Sequence, residues 1–156
     1  MFSDTKISRL GHVALSVTDL KRSQDFYCKV LGLEIVIKYK EMIVLLRAPG
    51  SGGAYDLALL LRVIDQRNCN SCLNHYAWQV ESFSDLQEFY NRFRSLGYSC
   101  TIIDHGIELG VYISDPDGYK VEIFHRCPVS EWDKVFGSGA TNCYPHQLRE
   151  FGDSSM

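Results

Sequence analysis

The stretch Ile7 to Val17 ends in an alternation, with Val13, Leu15 and Val17 on one side and His12, Ala14 and Ser16 on the other. That period of two predicts a strand with one covered face. The period then lengthens: Phe26, Tyr27, Val30 and Leu31 recur at helical spacing over 20–31, behind a potential N-cap at Asp19 and ahead of a stop at Gly32. Strands are predicted next over 34–39, 42–48 and 55–63, with Pro49-Gly-Ser-Gly-Gly53 as a loop. The first half therefore reads βαβββ.

The same order begins again. His-x-Ala-x-x-Val at 12–17 recurs at 75–80, and the spacing of 63 residues that joins His12 to His75 also carries Gln24 to Gln87 and Phe26-Tyr27 to Phe89-Tyr90. After a two-residue slip, Leu31-Gly32 answers Leu96-Gly97. These matches point to an internal duplication. The second copy continues as a helix over 84–95 and strands over 99–103, 108–114 and 119–125. The expected class is α+β, with module one at 7–63, a linker at 64–72, module two at 73–126 and an irregular tail at 127–156.

The last two strands flank Asp115-Pro-Asp-Gly118. Pro116 suits the first central position of a type I turn and Gly118 the left-handed position after it, a recipe for a three-residue hairpin loop. Counting outward from that loop pairs Tyr112 with Glu122 to within about one residue, and opposed residues share a face. Val111, Ile113, Val121 and Ile123 fall on the other face as core. A carboxylate in the middle of such a strand is costly unless it is paired, hydrogen-bonded or on a metal.

Composition removes some alternatives. The chain has 156 residues and a formal net charge of -3, which offers no basic patch for nucleic acid and no polybasic segment for anionic lipid. No signal peptide is evident and no apolar run approaches about 18 residues, so a cytoplasmic location is expected. Of the six cysteines, only Cys69 and Cys72 have a spacing that suits metal or redox work, and a structural zinc would need a second such pair.

His12 and His75 occupy the same place in the two copies, and Glu122 faces inward from the last strand. Early-strand histidines are often plain core residues, but two imidazoles and a carboxylate also make up the facial triad of non-haem Fe(II) sites.

Paired βαβββ modules with these three residues resemble the vicinal oxygen chelate superfamily, which includes glyoxalase I, extradiol dioxygenases, and fosfomycin and bleomycin resistance proteins. The resemblance covers about residues 7–126, as a single domain spanning 1–126. Asp56-Leu-Ala-Leu59, Asn74-His-Tyr-Ala-Trp-Gln-Val80, Asp104-His-Gly106 and Val111-Tyr-Ile-Ser-Asp-Pro-Asp-Gly118 are most similar to the catechol-cleaving extradiol type. The resemblance implies a curved, barrel-like mixed sheet around a metal cleft, with Fe(II), Mn(II) or another divalent ion on His12, His75 and Glu122. It implies a small aromatic substrate cleaved with O2, contacts to that substrate from His105 and Tyr112, and a homodimer.

One position departs from the pattern. Extradiol enzymes usually carry an acid/base histidine just before the Asp-Leu-Ala-Leu stretch, where this chain has Tyr55. With a reference pKa of about 10, tyrosine is a poorer proton shuttle at neutral pH than histidine at about 6.5. A glyoxalase-like isomerase would want a fourth ligand in module one, where only Asp56 is on offer. Fosfomycin-modifying relatives usually carry threonine where Ala14 stands. A non-catalytic, drug-binding cup of the same fold is the remaining alternative. Tyr76, Trp78 and Tyr119 are candidates to line a pocket for a flat aromatic.

Overall fold

The computed structural model describes residues 6–62, 73–128 and 130. The chain divides into two compact units, residues 1–68 and 69–156. Each is a βαβββ module, so the α+β duplication read from the sequence holds. Cys69, Cys72 and most of the expected tail lie outside the described residues.

In the first unit, β1 (Val13–Val17), β2 (Glu34–Tyr39), β3 (Ile43–Arg47) and β4 (Leu57–Leu61) form a four-stranded mixed sheet in the order β1-β4-β3-β2. β1 runs parallel to β4, with Val13 opposite Leu57 and Ala14 opposite Ala58. Helix α1 (Leu20–Lys29) starts where Asp19 accepts a 2.9 Å hydrogen bond from the Arg22 amide and packs on β3 and β4. Leu15, Val17, Phe26, Tyr27, Val44, Leu46, Leu57 and Leu59 are the core beneath it. Gly32, at φ +79°, turns the chain out of the helix into β2. β2 is an edge strand exposed along its whole length.

The second unit repeats the plan. β5 (Tyr76–Gln79), β6 (Thr101–Asp104), β7 (Glu108–Ser114) and β8 (Lys120–Arg126) form a sheet in the order β5-β8-β7-β6. Helix α2 (Phe83–Ser95) opens on a full capping box, in which the Ser82 hydroxyl accepts from the Asp85 amide while the Asp85 carboxylate accepts from the Ser82 amide. The helix packs on β7 and β8. The helix-covered side of the sheet holds Val111, Ile113, Val121 and Ile123, all almost completely buried. Tyr76 pairs with Val121 and Trp78 with Ile123, so these two aromatics share that core face. They do not share the face of Glu122, contrary to the pocket-lining role expected of them.

The β7–β8 hairpin has the predicted register, with Tyr112 opposite Glu122, Val111 opposite Ile123 and Ile113 opposite Val121. Its loop closes with Gly118 N donating to Asp115 O at 3.0 Å and Asp115 N donating to Tyr119 O at 2.9 Å. Gly118 takes φ +89°, a conformation that favours glycine. The Asp115 carboxylate adds an internal brace by accepting from the Asp117 amide at 2.9 Å and the Tyr119 amide at 2.8 Å.

Candidate metal and substrate site

Glu122 is the pivot of the second unit's open face. It is only 2% exposed, yet its neighbours along the strand are apolar. It fits because the residue diagonally across on β7 is Gly110: a Cβ there would lie 2.2 Å from Glu122 Oε1. The sequence reading missed this glycine. A glycine inside a strand, which often marks a close approach, was the available signal.

Three side chains gather at the carboxylate. His75, immediately before β5, brings Nε2 to 3.1 Å from Glu122 Oε2. Its Nδ1 lies 2.8 Å from Asn74 Oδ1, an acceptor that favours a proton on Nδ1, while Nε2 faces the carboxylate and would be the nitrogen that meets an ion. His105 Nε2 is 3.9 Å from Glu122 Oε1 and 3.0 Å from the Tyr112 hydroxyl. The ring of Tyr112 meets that of His75 edge-on, with centroids 5.4 Å apart. Burial, and then the neighbouring Glu122 carboxylate, push the Tyr112 phenol above its ordinary range, so it is a protonated donor at neutral pH.

Local turns put these groups in place. The Asp104 carboxylate accepts from the Gly106 amide at 2.7 Å, Gly106 takes φ +86°, and the His105 amide donates to Glu108 O at 2.9 Å. The Asp-His-Gly sequence is thus a braced corner that presents His105 beside Tyr112. Asn74 was not picked out from the sequence as a contributor. Its clue was its position next to a candidate ligand, since ligating histidines commonly donate their second N–H to an oxygen.

In the first unit, His12 stands immediately before β1, as His75 stands before β5. It is exposed, and its ring lies 4.6 Å from that of Tyr55 at a tilt of 42°. The Val13 amide donates to Asp56 O at 3.0 Å, which brings these two stretches together. Asp56, the possible fourth ligand, is already occupied: its carboxylate accepts from the Ala48 amide at 2.9 Å and the Ser51 hydroxyl at 2.7 Å. Matching the registers Ala14–Ala58 and Ala77–Glu122 places Ala58 at the first-unit counterpart of Glu122. That counterpart has no carboxylate.

The second-unit groups fit a divalent ion. Glu122 Oε1 is buried without a hydrogen-bond partner, a costly state for a carboxylate oxygen. The 3.1 Å between Nε2 and Oε2 is close to the roughly 3 Å expected between adjacent donors when each bond to a metal is about 2.1 Å. Among the described residues no group of three or more His, Cys, Asp or Glu side chains is assembled to hold an ion. His75 and Glu122 are therefore a pair of donors, with His105 and Tyr112 beside them.

A family model described as the Glyoxalase/Bleomycin resistance protein/Dioxygenase superfamily matches residues 9–123. The chain belongs to that superfamily. Within it, the chain is 30% identical over 143 residues to a probable trivalent organoarsenical cleaving enzyme of Bacillus subtilis, covering 88% of this chain and 93% of that protein. It is 28% identical over 133 residues to the catechol-2,3-dioxygenase of Bacillus subtilis, covering 81% of this chain and 45% of the dioxygenase. The chain thus spans about half of that enzyme's length. The crystal structure of a fosfomycin resistance protein mutant from Listeria monocytogenes, complexed with Mn(II) and 1S,2S-dihydroxypropylphosphonic acid, shares the superfamily fold. It has a TM-score of 0.64 at 21% identity, covering 84% of this chain and 99% of that one. Among the described residues no helix is long and apolar enough to cross a membrane.

Proposed function

We propose that this protein is a metal-dependent extradiol-type dioxygenase that cleaves a catechol-like aromatic with O2. The observation that carries the reading is the buried, unsatisfied Glu122 Oε1, with His75 Nε2 at 3.1 Å from its partner oxygen and the His105–Tyr112 pair alongside. A plain binding cup has no use for a buried carboxylate oxygen left without a hydrogen-bond partner. The ligands in this reading are His75, Glu122 and His12, the last supported by its matching place in the duplication. The ion is Fe(II), with Mn(II) as the next choice.

Such an ion supplies Lewis acidity toward a catechol phenol and electron exchange with dioxygen. The chain's own residues do the rest. Asn74 favours one tautomer of His75. Tyr112, kept protonated, donates a hydrogen bond toward a substrate oxygen, and His105, 3.0 Å away, accepts or returns that proton. Tyr55 stands where the extradiol pattern has an acid/base histidine, and its phenol substitutes weakly for one. Occupation of Asp56 and the presence of Ala58 weigh against a four-ligand, glyoxalase-like site. A homodimer and a cytoplasmic location belong to the same reading. Exposed Ile35, Ile37 and Tyr39 on edge strand β2 support the dimer.

The test is anaerobic loading with Fe(II), followed by O2 and a panel of catechols. The expected result is about one ion per chain and a yellow ring-opened product containing both oxygen atoms. Full iron occupancy with no consumption of O2 or any diol would overturn the reading. A second reading has a specific observation behind it: the organoarsenical cleaving relative is matched along almost its full length. Release of inorganic arsenic from a trivalent aryl arsenical, with all catechols inert, would favour that reading.

A further inference from the structure

The open face of the second sheet carries a second row of functional groups next to that of Glu122. The register puts Thr101, Tyr112 and Glu122 side by side across three strands. Two residues further along, about 7 Å away by strand rise, Ser114 lies opposite Lys120. Thr101 and Tyr112 of the first row, with Ser114 and Lys120 of the second row, line one recess of about 340 Å³, which His75, His105 and Ser99 also line. Lys120, Ser114 and Ser99 therefore give this recess an ammonium and two hydroxyls. Among the described residues Lys120 makes no ion pair.

We propose that Lys120, with Ser99 and Ser114, forms a carboxylate subsite, and that the substrate is an aromatic diol carrying an acid group on a short arm. The inference deepens the proposed function and rests on it. A molecule whose diol end reaches Glu122 and Tyr112 has its far end at the neighbouring row. An ammonium with hydroxyl donors beside it holds a carboxylate there by charge-assisted hydrogen bonds, whereas a neutral ring substituent gains nothing from it. Such an ion pair makes Lys120 a determinant of specificity.

The test uses the full chain and calorimetry under anaerobic conditions, with and without Fe(II). The paired probes are 3,4-dihydroxyphenylacetate and its neutral counterpart 4-ethylcatechol. The expected result is that the acid binds at least about tenfold more tightly, as a charged hydrogen bond allows. Lys120→Gln should bring that ratio close to one and Lys120→Arg should largely restore it. Raised salt should shrink the ratio in the native protein. Phenylacetate, which has no diol, separates the two proposals. If it binds in a Lys120-dependent way while neither diol responds to Fe(II), the subsite stands and the metal reading falls. If both diols bind in an Fe(II)-dependent way with equal affinity, or Lys120→Gln leaves the acid preference intact, the subsite is overturned and the metal reading survives. Lys120 is exposed, so the variants should fold, and circular dichroism checks this.

Discussion

Gly110 and Glu122 compete for the same space, since a methyl on the glycine would lie 2.2 Å from the carboxylate oxygen Oε1. The carboxylate must move if that space is filled. Gly110→Ala is therefore expected to fold but to bind Fe(II) or Mn(II) about 10- to 100-fold more weakly, the scale seen when support around a metal ligand is lost. Metal titration alongside circular dichroism checks this, and undiminished affinity in the variant would remove Gly110 from the account.

A buried carboxylate that waits for an ion should destabilise the metal-free protein and stabilise the loaded one. Glu122→Gln is expected to equal or exceed the native chain in metal-free melting temperature, because a neutral amide replaces a buried carboxylate oxygen that has no hydrogen-bond partner. Added Fe(II) or Mn(II) should raise the native melting temperature by several degrees and leave the variant unchanged. The reverse pattern would mean that Glu122 is a structural partner of His75 alone.

Asn74→Ala removes the acceptor that favours one tautomer of His75. The expected loss in metal affinity is about 10- to 100-fold with little change in stability, because the pair is exposed. Asn74→Asp should retain most of the affinity, since it keeps an acceptor.

The raised Tyr112 phenol predicts a dependence of stability on pH with a definite sign. A group whose folded-state pKa lies above its unfolded value of about 10 contributes stability that is fully present below pH 10 and lost as the pH rises beyond it. Urea melts of the native chain and Tyr112→Phe should therefore differ by a constant amount below about pH 10. That difference should shrink above it.

Tyr55→His restores a side chain with a reference pKa of about 6.5 at the departing position. If the missing shuttle limits turnover, ring cleavage should speed up by about 10²-fold, in the range of general acid–base effects. An unchanged or lower kcat would indicate that Tyr55 is not standing in for a base.

Much of the fold could be read in the sequence because each signal was local. Asp19, the turn residues Pro116 and Gly118, and the apolar neighbours Val121 and Ile123 on either side of Glu122 each fix a backbone conformation without reference to distant parts of the chain. They yielded the helix start and the Tyr112–Glu122 register. What escaped depended on neighbours. The stretch from Ile7 suggested a longer first strand, but the parallel partner β4 begins at Leu57, opposite Val13, and the ladder starts there. The repeat carried Phe26-Tyr27 onto Phe89-Tyr90, yet α2 buries Leu86 and Phe93 instead. Leu86 and Phe93 are the counterparts of Ser23 and Val30, which are buried too, so both helices turn the same positions inward and only the size of the residue differs. Tyr76 and Trp78 were judged by residue type, while their strand parity assigns them to the core. Asn74 and Gly110 were overlooked because their contributions, a hydrogen-bond acceptor and an empty volume, exist only once Glu122 and His75 are in place.

The brace inside the Asp115 turn has a consequence for how this site comes into being. The alignment of Glu122 with Tyr112 is dictated by amides and a carboxylate within one hairpin, whose contacts are close in sequence and so among the quickest to form. The acid and its phenol neighbour can thus be aligned before the rest of the sheet is complete. Insertions in the loops of either half would lengthen the chain around this pair without changing its register.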